Sequence, residues 1–412
     1  MSIEVPAVGQ RKVAVVGGGP AGLAAALALA RAGCAVSLLD ARPLPSAAAP
    51  LPDEARTVAL LGPSIALLDR LGVWRSLAAD STPLRALRLV SLAADEAEPE
   101  ADVTFAAGEI GLAELGRNLR IARLRAVLLD ALRAAGAELL GEAPVETVVR
   151  ERDGLLLVHG RGTTRAALVV AADGRRSAVR RALRLPAEAR PSGRTAIGTS
   201  FTHARPHDCV SIELHRPGGA FTMVPLPGDR SSLVWIEPEA SARRLMRLSD
   251  AAFAAEVERR AGRWLGAVRE VGPREAWPLA PMVASRLVAP GAVLLGEAAH
   301  ALSPVGAQGL NTSLRDVAVL AALVERAVAR GEPPFAPGVL LAYERARLPD
   351  IRARLALTEG LAAAVASDLA PVRLARTLGL RLLAALPPLK RRVMHGLIRP
   401  MALPLPLPLP LP

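Results

Sequence analysis

Three glycines hold the first chemistry in this chain. Gly17, Gly19 and Gly22 stand at the spacing Gly-x-Gly-x-x-Gly. Gly17 permits a tight turn, Gly19 lets the backbone approach a pyrophosphate, and Gly22 allows a helix to pack closely on a strand. Pro20 and Ala21 lead into that helix, whose free N–H groups and positive dipole end face phosphates. Asp40 follows about twenty residues later, where a carboxylate accepts hydrogen bonds from a ribose diol. Ala41 and Arg42 lie directly behind it. The set describes a dinucleotide site and leaves open which dinucleotide it is.

Two later stretches extend the pattern. One reads Ala172-Asp173-Gly174-Arg175-Arg176-Ser177. The other reads Leu295-Gly296-Glu297-Ala298-Ala299-His300, then Pro304-Val305-Gly306-Ala307-Gln308-Gly309-Leu310-Asn311, then Arg315-Asp316. With these residues the sequence resembles the FAD-dependent aromatic hydroxylases, the group A flavoprotein monooxygenases. Their pattern reads Gly-Asp-Ala-Ala-His, a proline, then Gly-Gln-Gly-x-Asn. The resemblance implies FAD as cofactor. It places Gly296 and Glu297 at the ribityl chain, Asp173 near the pyrophosphate, and Gln308, Gly309, Leu310 and Asn311 along the isoalloxazine ring. Pro304 and Gly306 fall on the oxygen side of that ring. A helix start there stabilises negative charge on reduced flavin.

The sequence departs from the family pattern at four places. Glu297 replaces an aspartate and Asp40 a glutamate. Ala307 takes the place of a glycine in the flavin loop. Ile121, between Arg120 and Arg123, stands where relatives carry a polar residue.

Further stretches resemble the ubiquinone-biosynthesis hydroxylases within that family. They are Asp53-Glu54-Ala55-Arg56-Thr57-Val58-Ala59-Leu60, Leu71-Gly72-Val73-Trp74, and Phe221-Thr222-Met223-Val224-Pro225-Leu226-Pro227 with Ser232-Leu233-Val234-Trp235. By this resemblance Arg56 contacts the cofactor. NAD(P)H reduces the flavin, oxygen forms a C4a-hydroperoxide, and an aromatic ring attacks it. The protein must keep that adduct dry. The substrate implied is a prenylated phenol; a soluble aromatic acid or a secondary metabolite is the alternative. Three other readings compete. A flavin halogenase would need a lysine and a Trp-x-Trp-x-Ile-Pro signature; no lysine lies between Lys12 and Lys390. An isoprenoid reductase would work without oxygen, and a non-enzymatic flavoprotein subunit would hold FAD without turnover.

These residues need elements to hold them. Residues 12–16 read as a buried strand, 20–32 as a helix and 35–40 as a strand, a βαβ opening that implies a parallel sheet. Helices are expected at 63–71, 122–135, 248–269 and 309–330, and strands within 84–107 and at 155–159, 167–172 and 291–296. Runs at 209–214, 220–225 and 232–236, broken by Pro-Gly turns, suggest an antiparallel sheet. Phe221 and Met223 alternate along one strand and Trp235 lies on a later one, so that either some face a ring pocket or all are ordinary core packing. The fold class is α/β. The resemblance implies the para-hydroxybenzoate-hydroxylase arrangement. In it, a Rossmann-like FAD-binding domain (1–80, 108–185 and 276–358) carries an inserted substrate domain (81–107 and 186–275). C-terminal helices span 359–402, and the Leu-Pro tail, 403–412, is expected to be disordered and extended.

Composition narrows the classes. The chain has 412 residues and a net charge of +12, nearly all its cations being arginine. Aromatic residues make up only 2%, which argues against a base-stacking nucleic-acid surface. Cys34 and Cys209 supply neither a disulfide framework nor a thiolate metal cluster, so no metal site is expected and a reducing cytoplasmic setting fits. The uncharged run 13–30 is broken by its glycines and does not read as a spanning helix. Leu378, Leu382, Leu383 and Leu386 recur at helical spacing near Arg381, Lys390, Arg391 and Arg392, a pattern that suits either a solvated basic face packed on the FAD-binding domain or peripheral contact with an anionic membrane. His300 reads as a positional residue. His203, His207 and His215 lie in the expected substrate sheet, with nothing to choose between them.

Overall fold

The computed structural model describes residues 11–45, 55–92, 99–216, 218–367 and 369–398. The Leu-Pro tail and residues 93–98 lie outside the described residues. Strand Lys12–Val16 occupies the middle of a six-stranded sheet. Ala35–Leu39 and Glu138–Leu140 follow on one side, Leu168–Ala171 and Ala292–Leu294 on the other, all parallel. Val288–Ala289 closes one edge antiparallel. Val13, Ala14, Val15 and Val16 are all buried, as a parallel strand covered on both faces requires. Helix Pro20–Arg31 lies against them through Leu23, Leu27 and a run of buried alanines.

Four of these parallel strands deliver chemistry at one edge. Gly17, Asp40, Ala172 with Asp173, and Leu295 with Gly296 each follow the carboxyl end of a strand. Parallel sheets bind ligands at that edge. Motifs far apart in sequence therefore meet in space.

The second sheet runs Val268–Val271, Arg194–His203, Arg230–Pro238, Gly219–Leu226, Val210–Arg216, Ala86–Ser91, Ala101–Ala106, with Glu275–Leu279 also paired to Arg194–His203. Most pairs are antiparallel, but Val210–Arg216 runs parallel to Ala86–Ser91. Strand alternation splits its two faces. Ile212, Leu214, Phe221, Met223 and Trp235 pack against Phe253, Val257, Ala261 and Leu265 of helix Asp250–Leu265. Of the two readings for Phe221, Met223 and Trp235, core packing holds: they form core on the face away from the cavity. Their neighbours Thr222, Val224 and Val234 line the cavity instead.

The helix expected at 248–269 is corrected. Ser249 caps Asp250–Leu265 by accepting from the Ala252 N–H at 3.2 Å. Gly266, at φ 73°, ends the helix, and Val268–Val271 is a strand. A separate helix, Glu239–Met246, precedes it. Three helices close the chain, Pro337–Ala366, Ala370–Ala385 and Pro387–Ile398. Leu380 and Met394 from the last two pack on Val103 and Phe105 of the second sheet.

Candidate active site

The glycine loop is shaped by its own backbone. Gly17 sits at φ 113°, and a Cβ there would overlap the Ala172 carbonyl. A Cβ at Gly22 would overlap the Gly17 carbonyl. At Gly19 a Cβ would meet no protein atom, so this residue fronts open space. Asp40 braces the loop: Oδ2 accepts from the Gly18 N–H and Oδ1 from the Arg42 N–H at 2.7 Å. Arg125 donates to the Gly18 carbonyl at 3.2 Å and brings a cation to the glycine loop.

The Asp-Gly motif is locked to the later one. Asp173 Oδ2 accepts from the Ala178 N–H at 2.7 Å, at the start of helix Ala178–Ala182. Its other oxygen is buried without a partner. Buried Arg180 donates to the carbonyls of Ala298 and Arg175, both at 2.7 Å. Burial pulls its pKa down, opposed by nearby Asp173. Arg175 in turn lies 3.7 Å from Glu297, whose side chain is 52% exposed.

The loop Pro304–Asn311 rests on a buried ion cluster. Asp316 accepts from the Gly296 N–H at 3.0 Å and meets His300 Nε2 and Arg347 Nε, each at 2.7 Å. Burial raises the Asp316 pKa; His300 and Arg347 outweigh it and hold the carboxyl below its usual range. Arg347 and Arg354 both bond Asp350, and Arg354 also donates to the Gln308 side-chain oxygen. His300 is thus positional. The Asn311 amide accepts from Leu61 N–H and Ser64 Oγ and donates to the Ala59 and Ala307 carbonyls.

One cavity of about 1720 Å³ joins these pieces. Gly17, Gly19 to Gly22, Asp40 to Arg42, Arg56, Asp173, Glu297, Pro304 and Gly306 to Leu310 all line it. Gly296 and Asn311 do not; they hold the loops from behind. Drug-sized ligand pockets hold roughly 300–1,000 Å³, so this space admits a dinucleotide and a second molecule. The open front of Gly19 and the unpartnered Asp173 oxygen fit a bound dinucleotide. So does Asn118, whose Oδ1 is buried without a partner in the same wall.

The sequence matches the family described as "FAD binding domain" over residues 10–358. The chain belongs to this family of FAD-dependent hydroxylases. Ubiquinone hydroxylase UbiL of Rhodospirillum rubrum is 39% identical over 388 residues, 93% of this chain and 88% of that one. The 3-demethoxyubiquinol 3-hydroxylase of Escherichia coli is 31% identical over 386 residues, 93% and 97% of the two chains. The fold is similar to p-nitrophenol 4-monooxygenase PnpA from Pseudomonas putida, with TM-score 0.76 and 21% identity, covering 95% of this chain and 98% of that one. It is also similar to Klebsiella pneumoniae HpxO, solved with FAD and uric acid, with TM-score 0.76 and 18% identity, covering 96% and 98%. The chain is an FAD-dependent monooxygenase, an oxidoreductase of mixed helix and sheet.

In this flavoprotein several site residues escaped sequence reading. Arg125 sits one helical turn beyond Ile121, and both line the cavity. Arg347, Asp350 and Arg354 show only as charges three and four apart on a helix. Of the sheet histidines, His203 is held by Ser231 Oγ at 3.0 Å and the Arg205 carbonyl at 2.8 Å. His207 is 2.9 Å from the Leu226 carbonyl. His215 alone of the three lines the cavity, beside Glu213. Its signal was the alternation Ser211-Ile212-Glu213-Leu214-His215, polar on one strand face.

Proposed function

We propose that this flavoprotein hydroxylates the aromatic ring of a prenylated phenol on the way to ubiquinone, with NAD(P)H as electron donor. The observation that carries the reading is the shape of the cavity. It starts at the glycine loop, passes the Pro304–Leu310 loop, and ends among Leu357, Leu361, Leu382, Leu383 and Leu389 of the C-terminal helices. An apolar far end suits an isoprenoid tail. The names of the two curated relatives support the same substrate class.

Bound FAD supplies the redox chemistry and the activated oxygen. The chain's residues do the rest. Gly17 to Gly22, Asp40 and Arg125 would hold the pyrophosphate and ribose end. Asp173 and Glu297 would hold the middle, and the dipole of helix Gln308–Ala329 would face negative charge on the ring. Leu87, Leu89 and Val234 keep the substrate side apolar and exclude water. We assign the segments 81–107 and 186–275 to substrate binding and the flanking segments to FAD.

The substrate class also bears on location. Leu374, Leu378, Leu382 and Leu386 form a stripe at four-residue spacing, 59%, 53%, 50% and 45% exposed. The stripe adjoins the apolar end of the cavity, so a tail could pass from a bilayer into the protein. No single helix among the described residues is long and apolar enough to cross a membrane. The bent pair Pro337–Ala366 and Ala370–Ala385 has that length and composition only together, across a turn of 113°. We assign the stripe to surface contact.

The test is product formation by purified, FAD-loaded protein. With NAD(P)H and oxygen, a prenylated phenol should gain one oxygen atom, and soluble hydroxybenzoates should not. Hydroxylation of the acids alone would overturn the prenylated substrate. Turnover without oxygen would overturn hydroxylation.

A further inference from the structure

Glu213 and His215 form a buried acid–imidazole pair. They lie two apart on Val210–Arg216, so both side chains leave the same face of the strand. Both line the cavity. Glu213 Oε1 and His215 Nε2 are 2.8 Å apart, with side chains 7% and 9% exposed. When Nε2–H donates to the carboxylate, Nδ1 is left as an acceptor. Nδ1 is buried and has no partner. Among the described residues, no hydrogen bond within the protein engages Glu213 Oε2.

Buried polar atoms without partners ask for an explanation. The surrounding wall does not provide one. Leu89, Leu361 and Val365 are apolar. Ser91 pairs with His215 in the sheet register, and its hydroxyl accepts from Arg376 at 3.2 Å. Arg376 also donates to the Ala364 and Val365 carbonyls and lies 3.9 Å from Glu100. Arg376, which also lines the cavity, and Glu100 are the charged groups that meet at the Ser91 hydroxyl beside the pair. The pair therefore holds two acceptor atoms, Nδ1 and Oε2, that no protein donor among the described residues engages, on a strand face that lines the cavity.

We propose that Glu213 and His215 bind the ring hydroxyl of the aromatic substrate and take its proton as the ring is hydroxylated. The inference rests on the proposed function. The phenolic O–H bond breaks, the proton passes to the pair, and the electron pair stays on the ring oxygen. The Glu213–His215 pair goes from one negative charge to neutral, and the ring oxygen goes from neutral to one negative charge. The phenolate so formed is a stronger nucleophile toward oxygen transfer. Glu213 orients the imidazole as a carboxylate does in other acid–imidazole couples.

The probe is 2-geranylphenol with the FAD-loaded protein, NAD(P)H and oxygen. Glu213→Gln keeps an oxygen that accepts from His215 but takes no proton. It should retain its flavin and consume donor, yet form product roughly 10²-fold more slowly. Oxygen should leave as hydrogen peroxide. Product should recover as pH rises toward about 10, where phenols ionise unaided. A merely structural role would not give alkaline recovery. His215→Gln tells which atom receives the proton: a loss as large as that of Glu213→Gln assigns it to His215 Nδ1, and a loss under tenfold assigns it to Glu213 Oε2. Wild-type rate, coupling and pH profile in Glu213→Gln would overturn the pair while leaving the proposed function standing. A wild-type protein that neither binds nor hydroxylates the probe would overturn both.

Discussion

Ala307 carries the clearest strain in the cofactor loop. It stands at φ 55° and ψ 29°, immediately before helix Gln308–Ala329. An L-residue in that conformation costs about 1 kcal/mol, which glycine avoids. Ala307→Gly should therefore stabilise the protein by up to about 1 kcal/mol, less glycine's entropic cost. A higher urea midpoint for the FAD-loaded protein checks this, and an unchanged or lower one refutes it. The departure was visible in sequence, because family members carry glycine there. Its backbone conformation was not, since nothing local to Gly306-Ala307-Gln308 dictates that Ala307 turns left-handed together with Gly306. Asn311 shows the other side of the same limit. The motif placed it along the flavin, but three of its four hydrogen bonds bind the loop to Ala59, Leu61 and Ser64, and the fourth closes on the Ala307 carbonyl. The sequence separation of about 250 residues hid those partners.

Helices Gln308–Ala329 and Pro337–Ala366 are joined by charge as much as by packing. Asp316, Arg347, Asp350 and Arg354 alternate in sign and are nearly fully buried. Removing one member of such a cluster leaves its partners uncompensated, at about 3 kcal/mol or more. Asp316→Asn should therefore lower the chemical-denaturation midpoint and loosen FAD together, because Gly296 and His300 lose the same partner. Retained stability with weakened FAD would show that Asp316 serves the cofactor alone. The pH dependence has a definite sign. The folded pKa of Asp316 lies below the unfolded value of about 3.9. Its stabilisation is complete above that value and is lost as pH falls through the folded pKa. Between pH 6 and pH 3, the wild type should lose more stability than Asp316→Asn. Equal losses would contradict this. The βαβ opening and the long helices were legible from glycine spacing and 3.6-residue periodicity. Strand Val268–Val271 was not, because it continues an apolar pattern past Gly266, and only the φ of that glycine ends the helix.

At the scale of the whole molecule, the cavity links the nucleotide edge of one sheet to a leucine-rich surface more than half the chain away in sequence. That surface carries a prediction of its own. Leu374→Ser with Leu378→Ser removes two half-exposed leucines of the stripe that do not line the cavity, worth together about 2 kcal/mol of transfer, or on the order of 30-fold in partition. Flotation with anionic vesicles should fall accordingly, while activity on a detergent-dispersed substrate persists. Undiminished flotation would place the contact elsewhere. Motif order was enough to foresee one shared site. The partition of the second sheet into a packed face and a cavity face was not, since alternation marks two faces without naming them. The site also has a birth order. Gly17 and Asp40 leave the ribosome early, whereas the helix bearing Asn311 and Asp316, which ties down Leu61 and Gly296, comes some 270 residues later. Synthesis outpaces nothing here: the first motif must wait, without its supports, for most of the chain to be made. Nascent chains stalled near residue 300 should retain no FAD, and those stalled beyond Arg354, once clear of the exit tunnel, should begin to.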